Sequence, residues 1–392
     1  MKNVVSALSL LVLCLCIIVT LAGCGSVSAT STASSTTPTP TPVISGPATP
    51  TPTPAPTATP AAHGTFVFSS SRIVDTTGTA AYRLNDDGTL AVVPGSPFPV
   101  NGVLAVSGNF LISAENNQVV VFRIDPATGA LTTAGSGDVP GVVAVAADGA
   151  NVYAAGNLSP AGTGTGIYGF SIGSNGALKP LAGSPYFFAA GCDTCSSPLV
   201  LALNGNFLIE GGASFHGIGN FAVYPRMAGG VLGTQQMAQT DETLTSVAVQ
   251  HPTGRFGYGV SGAELDNFTI NAGGTLTKGT AQFLDSQDIT VDPSGKYLLL
   301  VDSSGEVHVF TIDPTTGETS QIATSESAGN GATAITMDPS GHFVLVAQSA
   351  AFTGAADQVT VFTFDATTGA MKKLQSYPLG SQPGVLVVAQ TQ

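Results

Sequence analysis

A motif repeated seven times, an average spacing of 47 residues and chain ends that break the repeat in complementary places together predict the fold class. It is all-β: a seven-bladed β-propeller of four-stranded blades, its ring closed by the C-terminal strand joining the N-terminal blade. The 329 residues from 64 to 392 hold the seven copies, and units of about 40–50 residues built only from strands and turns are what such blades require.

The composition fits this class. Of 392 residues 43% are hydrophobic, with 48 Gly, 25 Pro and no Trp. Only 9% are charged, where an ordinary soluble domain carries about 25%, so the surface has to be built from Ser, Thr, Asn, Gln and Gly. That balance favours an extracytoplasmic protein. The formal charge is -13, and no cluster of Lys and Arg occurs. Without one, counterions are not displaced from phosphate, which argues against DNA, RNA and bare anionic membrane surfaces as partners. The acidic excess is dispersed and reads as a solubility device; no cofactor is expected.

The first element along the chain, "MKNVVSALSLLVLCLCIIVTLAGCGS", has one basic residue, Lys2, then an apolar run from Val4 to Thr20, then small residues. This is the layout of a secretory signal, and the run is short for a membrane span. Its end, Leu21-Ala22-Gly23-Cys24, resembles the lipobox of bacterial lipoproteins, in which the Cys becomes the acylated N-terminus of the mature chain. The resemblance implies a signal peptide over 1–23, lipidation at Cys24, and a protein exported to the bacterial cell envelope and held on its membrane by lipid. Gly25, standing where inner-membrane relatives have Asp, resembles the outer-membrane sorting pattern of a didermal host.

Residues 24–63 contain no Asp, Glu, Lys or Arg and almost no large apolar side chain, with Pro at many alternate positions. Such a segment cannot offset its ordering entropy by burial and is expected to stay extended. At about 3.1 Å per residue in polyproline II, it would reach up to roughly 100 Å as a tether.

The repeats follow over 64–392. Each has an aromatic, a short alternating run, a polar turn with Gly and a second run: "AYRLNDDGTLAVV" at Tyr82, "VFRIDPATGALTTA" at Phe122, "GFSIGSNGALKPL" at Phe170, "VYPRMAGGVLGTQ" at Tyr224, "NFTINAGGTLTKG" at Phe268, "VFTIDPTTGETSQI" at Phe310 and "VFTFDATTGAMKKL" at Phe362. A second element precedes most of them, as in "ITVDPSGKYLLLVD" and "ITMDPSGHFVLVAQ". Each unit therefore reads strand, tight turn, strand, variable loop, strand, Gly turn, strand. The chain enters at "GTFVFSSS", equivalent to a second strand, and leaves at "GVLVVAQ", equivalent to a first strand. That offset lets the last strand complete the first blade and leaves no long free edge.

The pairing of "DPSG(K/H)(Y/F)" with "VFTIDPTTG", together with "GSP" in "VVPGSPF" and "LAGSPYF", resembles the lactonase-like propellers, which include 6-phosphogluconolactonases and muconate-lactonizing enzymes. In the members that hydrolyse or lactonize, a His before an inner strand works with Arg or Glu near the axis. The equivalent positions here hold Ser246, Asp288 and Thr333, and none is His.

Polar groups on the rim formed by the second-to-third-strand loops and the blade connections are the remaining candidates. They are His216 in the insertion "EGGASFHGIGN", with Glu115, Glu210, Asp241, Glu242, Asp285 and Asp302. Carboxylates with a His suit acid/base chemistry or a divalent cation, but the loose spacing assigns no catalytic residue and no metal site. His251 and His342 fall in tight turns, His308 reads as an outward-facing strand residue, and His63 ends the tether. Cys192 and Cys195 in "AAGCDTCSSP" have no second Cys pair to complete a zinc site and read, in an oxidising compartment, as a local disulfide. The expected role is that of a monomeric binding or scaffold module for a small molecule or an envelope protein. Hydrolysis of a sugar lactone is the alternative that the resemblance implies.

Overall fold

Short apolar runs bounded by Gly turns fold, in the computed structural model of the chain, into seven antiparallel sheets of four successive strands, two of which add a short fifth strand, Tyr186–Phe187 and Gln282–Phe283. The structure describes residues 63–71, 78–157, 165–187, 200–213, 219–239, 245–261, 264–350, 356–379 and 382–392. The chain divides into two units, Met1–Ala58 and Thr59–Gln392, and all the described residues lie in the second.

Blade one consists of Val385–Gln390, Thr65–Ser70, Ala80–Leu84 and Leu90–Val92, from the axis outward. Its innermost strand is thus the last of the chain, as the offset of the ends predicts. Blades two to seven each use four strands in chain order, starting at Val103, Ala144, Val200, Thr245, Asp288 and Ala332. The seven inner strands contact one another in sequence around the ring, from the Val385–Gln390 strand back to Ala332–Met337.

Seven apolar cores form, one at each junction of neighbouring blades. Period-two alternation explains how one strand feeds two of them. In Tyr297–Val301, Leu298 and Leu300 pack against blade five while Tyr297, Leu299 and Val301 pack against blade seven. Both faces are buried, so the strand is apolar throughout, "YLLLV".

The repeated Gly turn joins the third and fourth strands, and its Gly has positive φ in every blade, for example +77° at Gly317 and +74° at Gly369. Space is the second constraint. A Cβ on Gly317 would lie 2.4 Å from Phe256 of the preceding blade, and one on Gly369 would lie 2.8 Å from Tyr297. Basic side chains clamp the same turns: Arg255 donates to the carbonyls of Pro314 and Thr315, Lys296 to that of Thr367, Arg83 to that of Ala127 and Arg123 to that of Ser174. Asp313-Pro314-Thr315-Thr316-Gly317 is therefore a staple between blades, on the face opposite the variable loops.

Candidate functional site

The variable loops, the ends of the second strands and the starts of the inner strands share the other face. At the axial entrance Asp288 opens the inner strand of blade six. Its carboxylate accepts from Ile289 N at 3.0 Å and, across the blade boundary, from Ile335 N at 2.8 Å. Ile335 lies just past a register shift between Ala332 and Ala334, and Thr333 at that bulge donates from Oγ1 to Pro383 O at 2.6 Å, on the approach to blade one. Blade five carries the equivalent shift between Thr245 and Val247, at Ser246. The positions that a catalytic His would occupy are thus bulge and anchor positions, and at Asp288 and Thr333 they hold adjacent blades together.

The rim candidates separate into three places. Asp285 and Asp302 come together at the junction of blades five and six. Asp285 Oδ2 accepts from the backbone N of Ser303, at 3.2 Å, and from its hydroxyl. Next to it, Asp302 Oδ1 accepts from Ser304 Oγ at 2.7 Å and Glu306 N at 2.9 Å. Asp302 Oδ2 lies 3.1 Å from His308 Nε2, and His308 Nδ1 lies 3.0 Å from Gln321 Nε2. With Gln321 donating to Nδ1, the Nε2–H donates to Asp302. Burial works to raise the pKa of Asp302, but hydrogen bonds from Ser304, His308 and the Glu306 amide outweigh it and hold the carboxyl below its ordinary range.

His308 does not face outward as its strand alternation predicts. It is half-buried instead, because the register Leu300↔His308 sets it on the same face as Asp302 across the hairpin. The signal was present in "DSSGEVH", where a tight turn of known register would have paired the two groups.

Glu210 departs from the rim position the sequence suggests. It is the fourth residue of Phe207–Ala213, so it sits in mid-strand, on the same face as Leu208, which packs against blade three. Tyr224 OH donates to its Oε2 at 2.7 Å, and Gln235 Nε2 donates to that hydroxyl at 2.8 Å. The side chain is 7% exposed, and burial pushes its pKa up to about 7, only partly opposed by the Tyr224 hydrogen bond. Glu115 occupies the third place, where its carboxylate accepts from Asn101 N at 3.1 Å in the connection between blades one and two. Burial raises its pKa, and that amide partly offsets the rise. His216, Asp241, Glu242, Cys192, Cys195 and Cys24 lie outside the described residues.

The loop face also carries a depression that the sequence did not disclose, an open volume of about 490 Å³ between blades two and three. Asn116, Asn117, Gln118, Asp138, Pro140, Gly141 and Asn157 line it. Asn116 and Asn117 turn the hairpin with φ of +50° and +65°, a conformation in which Asn is favoured among residues bearing a side chain. Asn117 Oδ1 then accepts from Gly141 N at 2.7 Å, which fixes one wall on the neighbouring connection. His251 and His342 are turn residues, as read: His251 Nε2 donates to Gly295 O at 2.7 Å, and His342 Nδ1 meets Ser340 Oγ at 2.8 Å.

No protein-family model matches the sequence, and no curated protein matches it significantly. Solved structures do. The periplasmic gluconolactonase of Pseudomonas aeruginosa superposes with a TM-score of 0.63 at 16% identity, over 83% of this chain and 99% of its own. A Bacteroides uniformis protein provisionally assigned as a 6-phosphogluconolactonase gives 0.61 at 16% identity, over 84% and 100%. A Lactobacillus plantarum protein gives 0.65 at 16% identity, over 83% and 99%. At such identities the likeness is one of fold, and in fold the chain is a seven-bladed β-propeller similar to these proteins.

Proposed function

We propose that the protein is a binding propeller that takes a small, neutral, hydroxyl-rich molecule on its loop face. The observation that carries this reading is how the polar groups of that face are used. Asp288 and Thr333 at the axial entrance are engaged between blades, whereas the depression between blades two and three is lined, among the described residues, by amides, one carboxylate and no cation. Amides donate and accept together, which suits hydroxyl groups, and a lining without cations disfavours phosphate and carboxylate ligands. The lipobox-like Leu21-Ala22-Gly23-Cys24 and the Pro/Thr-rich segment after it support the further reading that this module is exported and displayed on the cell envelope from a lipid on Cys24.

A second reading, hydrolysis of a sugar lactone, is supported by the likeness in fold to the gluconolactonase. The Asp302–His308 pair supports it too, as an imidazole oriented by a carboxylate. Titrating the purified protein with neutral sugars and with gluconolactone separates the two, with binding read by calorimetry and ring opening by the acid it releases. The binding reading expects saturable sugar binding, weakened about tenfold or more in Gln118→Ala combined with Asp138→Ala, and lactone opening at the spontaneous rate. Opening far above that rate, lost in His308→Ala, would replace it with the hydrolase. For the anchor, Cys24→Ser is expected to move exported protein from the membrane fraction to the soluble one; unchanged partitioning would rule the lipid out.

A further inference from the structure

The hairpin that joins the second and third strands of blade six gathers two carboxylates and an imidazole. Ligand-capable atoms of Asp302, Glu306 and His308 all lie within 4.8 Å of one another. We propose that these three residues form a binding site for a divalent transition-metal ion. The proposal stands apart from the sugar-binding reading, which concerns blades two and three.

Distance is the first argument. Two ligands each about 2.1 Å from one ion and roughly 90–110° apart stand about 3.0–3.4 Å from each other. Asp302 Oδ2 and His308 Nε2 are 3.1 Å apart. A metal ion beside the Nε2–Oδ2 line can therefore bind both atoms at ordinary bond lengths once the ring turns Nε2 toward it and Nε2 gives up its proton.

Orientation is the second. An imidazole bound to a metal has its other nitrogen held by a neighbouring group, which aims the ring. Gln321 holds His308 Nδ1 at 3.0 Å, and its amide can turn end for end to accept from Nδ1–H once Nε2 carries metal. Asp302 is likewise fixed by Ser304 and by the Glu306 amide.

The donor set narrows the ion. One nitrogen and two carboxylates suit Zn²⁺, Mn²⁺, Co²⁺ or Ni²⁺, whereas Mg²⁺ and Ca²⁺ prefer all-oxygen shells. Three protein ligands leave at least one position for water or substrate. The side chains of Asp302 and His308 are 14% and 16% exposed, so that position is reachable from the loop face.

The test uses metal-free protein carrying Cys192→Ser and Cys195→Ser, so that thiols do not bind the ion. Competition against a chromophoric chelator should show one Zn²⁺ per chain. His308→Ala and Glu306→Gln should each lower the affinity tenfold or more, and Zn²⁺ but not Mg²⁺ should raise the melting temperature. Glu306→Gln keeps the side-chain shape and carries the test should His308→Ala fail to fold. No saturable uptake of Zn²⁺, Mn²⁺ or Co²⁺ up to millimolar concentration, or uptake that Glu306→Gln leaves unchanged, overturns the site and leaves Asp302–His308 a hydrogen-bonded pair only.

Discussion

Burial holds the Glu210 carboxyl protonated in the folded protein up to about pH 7, against 4.5 for the free group. Between those values the unfolded chain releases this proton while the folded chain keeps it, so folding stability falls as pH rises through the window and levels off above it. The gap corresponds to about 3 kcal/mol. Glu210→Gln removes the titration and still accepts from Tyr224. Urea unfolding should find the variant within about 1 kcal/mol of the parent at pH 5 but more stable by about 2–3 kcal/mol at pH 8. Equal offsets at the two pH values would show that Glu210 does not titrate in this window. The sequence could not place this residue, because its neighbours Gly211 and Gly212 read as a loop, whereas the strand runs on to Ala213. The Asp302–His308 pair was hidden for a related reason: facing across a hairpin depends on register, and register follows from the turn rather than from either residue.

At the scale of elements, the Gly turn between third and fourth strands was legible, since its Gly recurs in all seven copies. What the sequence left open was whether that Gly serves conformation alone or also packing. Two glycines separate the terms. Gly317 has φ +77° with Phe256 2.4 Å from a would-be Cβ, while Gly108 has φ +54° with nothing within 4 Å. Gly108→Ala should cost only the left-handed conformation, about 1–2 kcal/mol. Gly317→Ala should cost that plus about 1–3 kcal/mol for crowding the aromatic of the preceding blade. Chemical denaturation of both variants checks this, and similar losses would mean that the inter-blade contact yields freely. The same elements explain where the positive charge goes. Arg83, Arg123, Arg255 and Lys296 are bound to turn carbonyls on the face opposite the variable loops.

For the whole molecule, the offset of the chain ends was the most informative sequence feature, because only a closed ring lets a last strand finish a first blade. The loop-face depression was not legible at this scale, since Asn116 and Asn157 meet there only after two blades have been set side by side. Closure also identifies where the ring is most exposed to damage. Val385–Gln390 pairs with Thr65–Ser70 along its full length, and Thr391 exchanges hydrogen bonds with Gly64 at 2.9–3.0 Å. Gln392 continues to Asn109 of blade two, at 2.8 and 2.9 Å. Val385, Leu386 and Val388 are each less than 10% exposed and belong to the cores on both sides of blade one. Their burial is worth roughly 5–9 kcal/mol at about 1.5–3 kcal/mol each, a large part of the 5–15 kcal/mol that typically holds a folded domain. A chain ending at Pro383 should therefore lose its cooperative thermal transition. A peptide spanning residues 384–392, added in trans, should restore it by pairing with the freed edge of Thr65–Ser70. A truncated chain that melts as sharply as the full one, at a similar temperature, would mean that the seven blade junctions hold the ring without this latch.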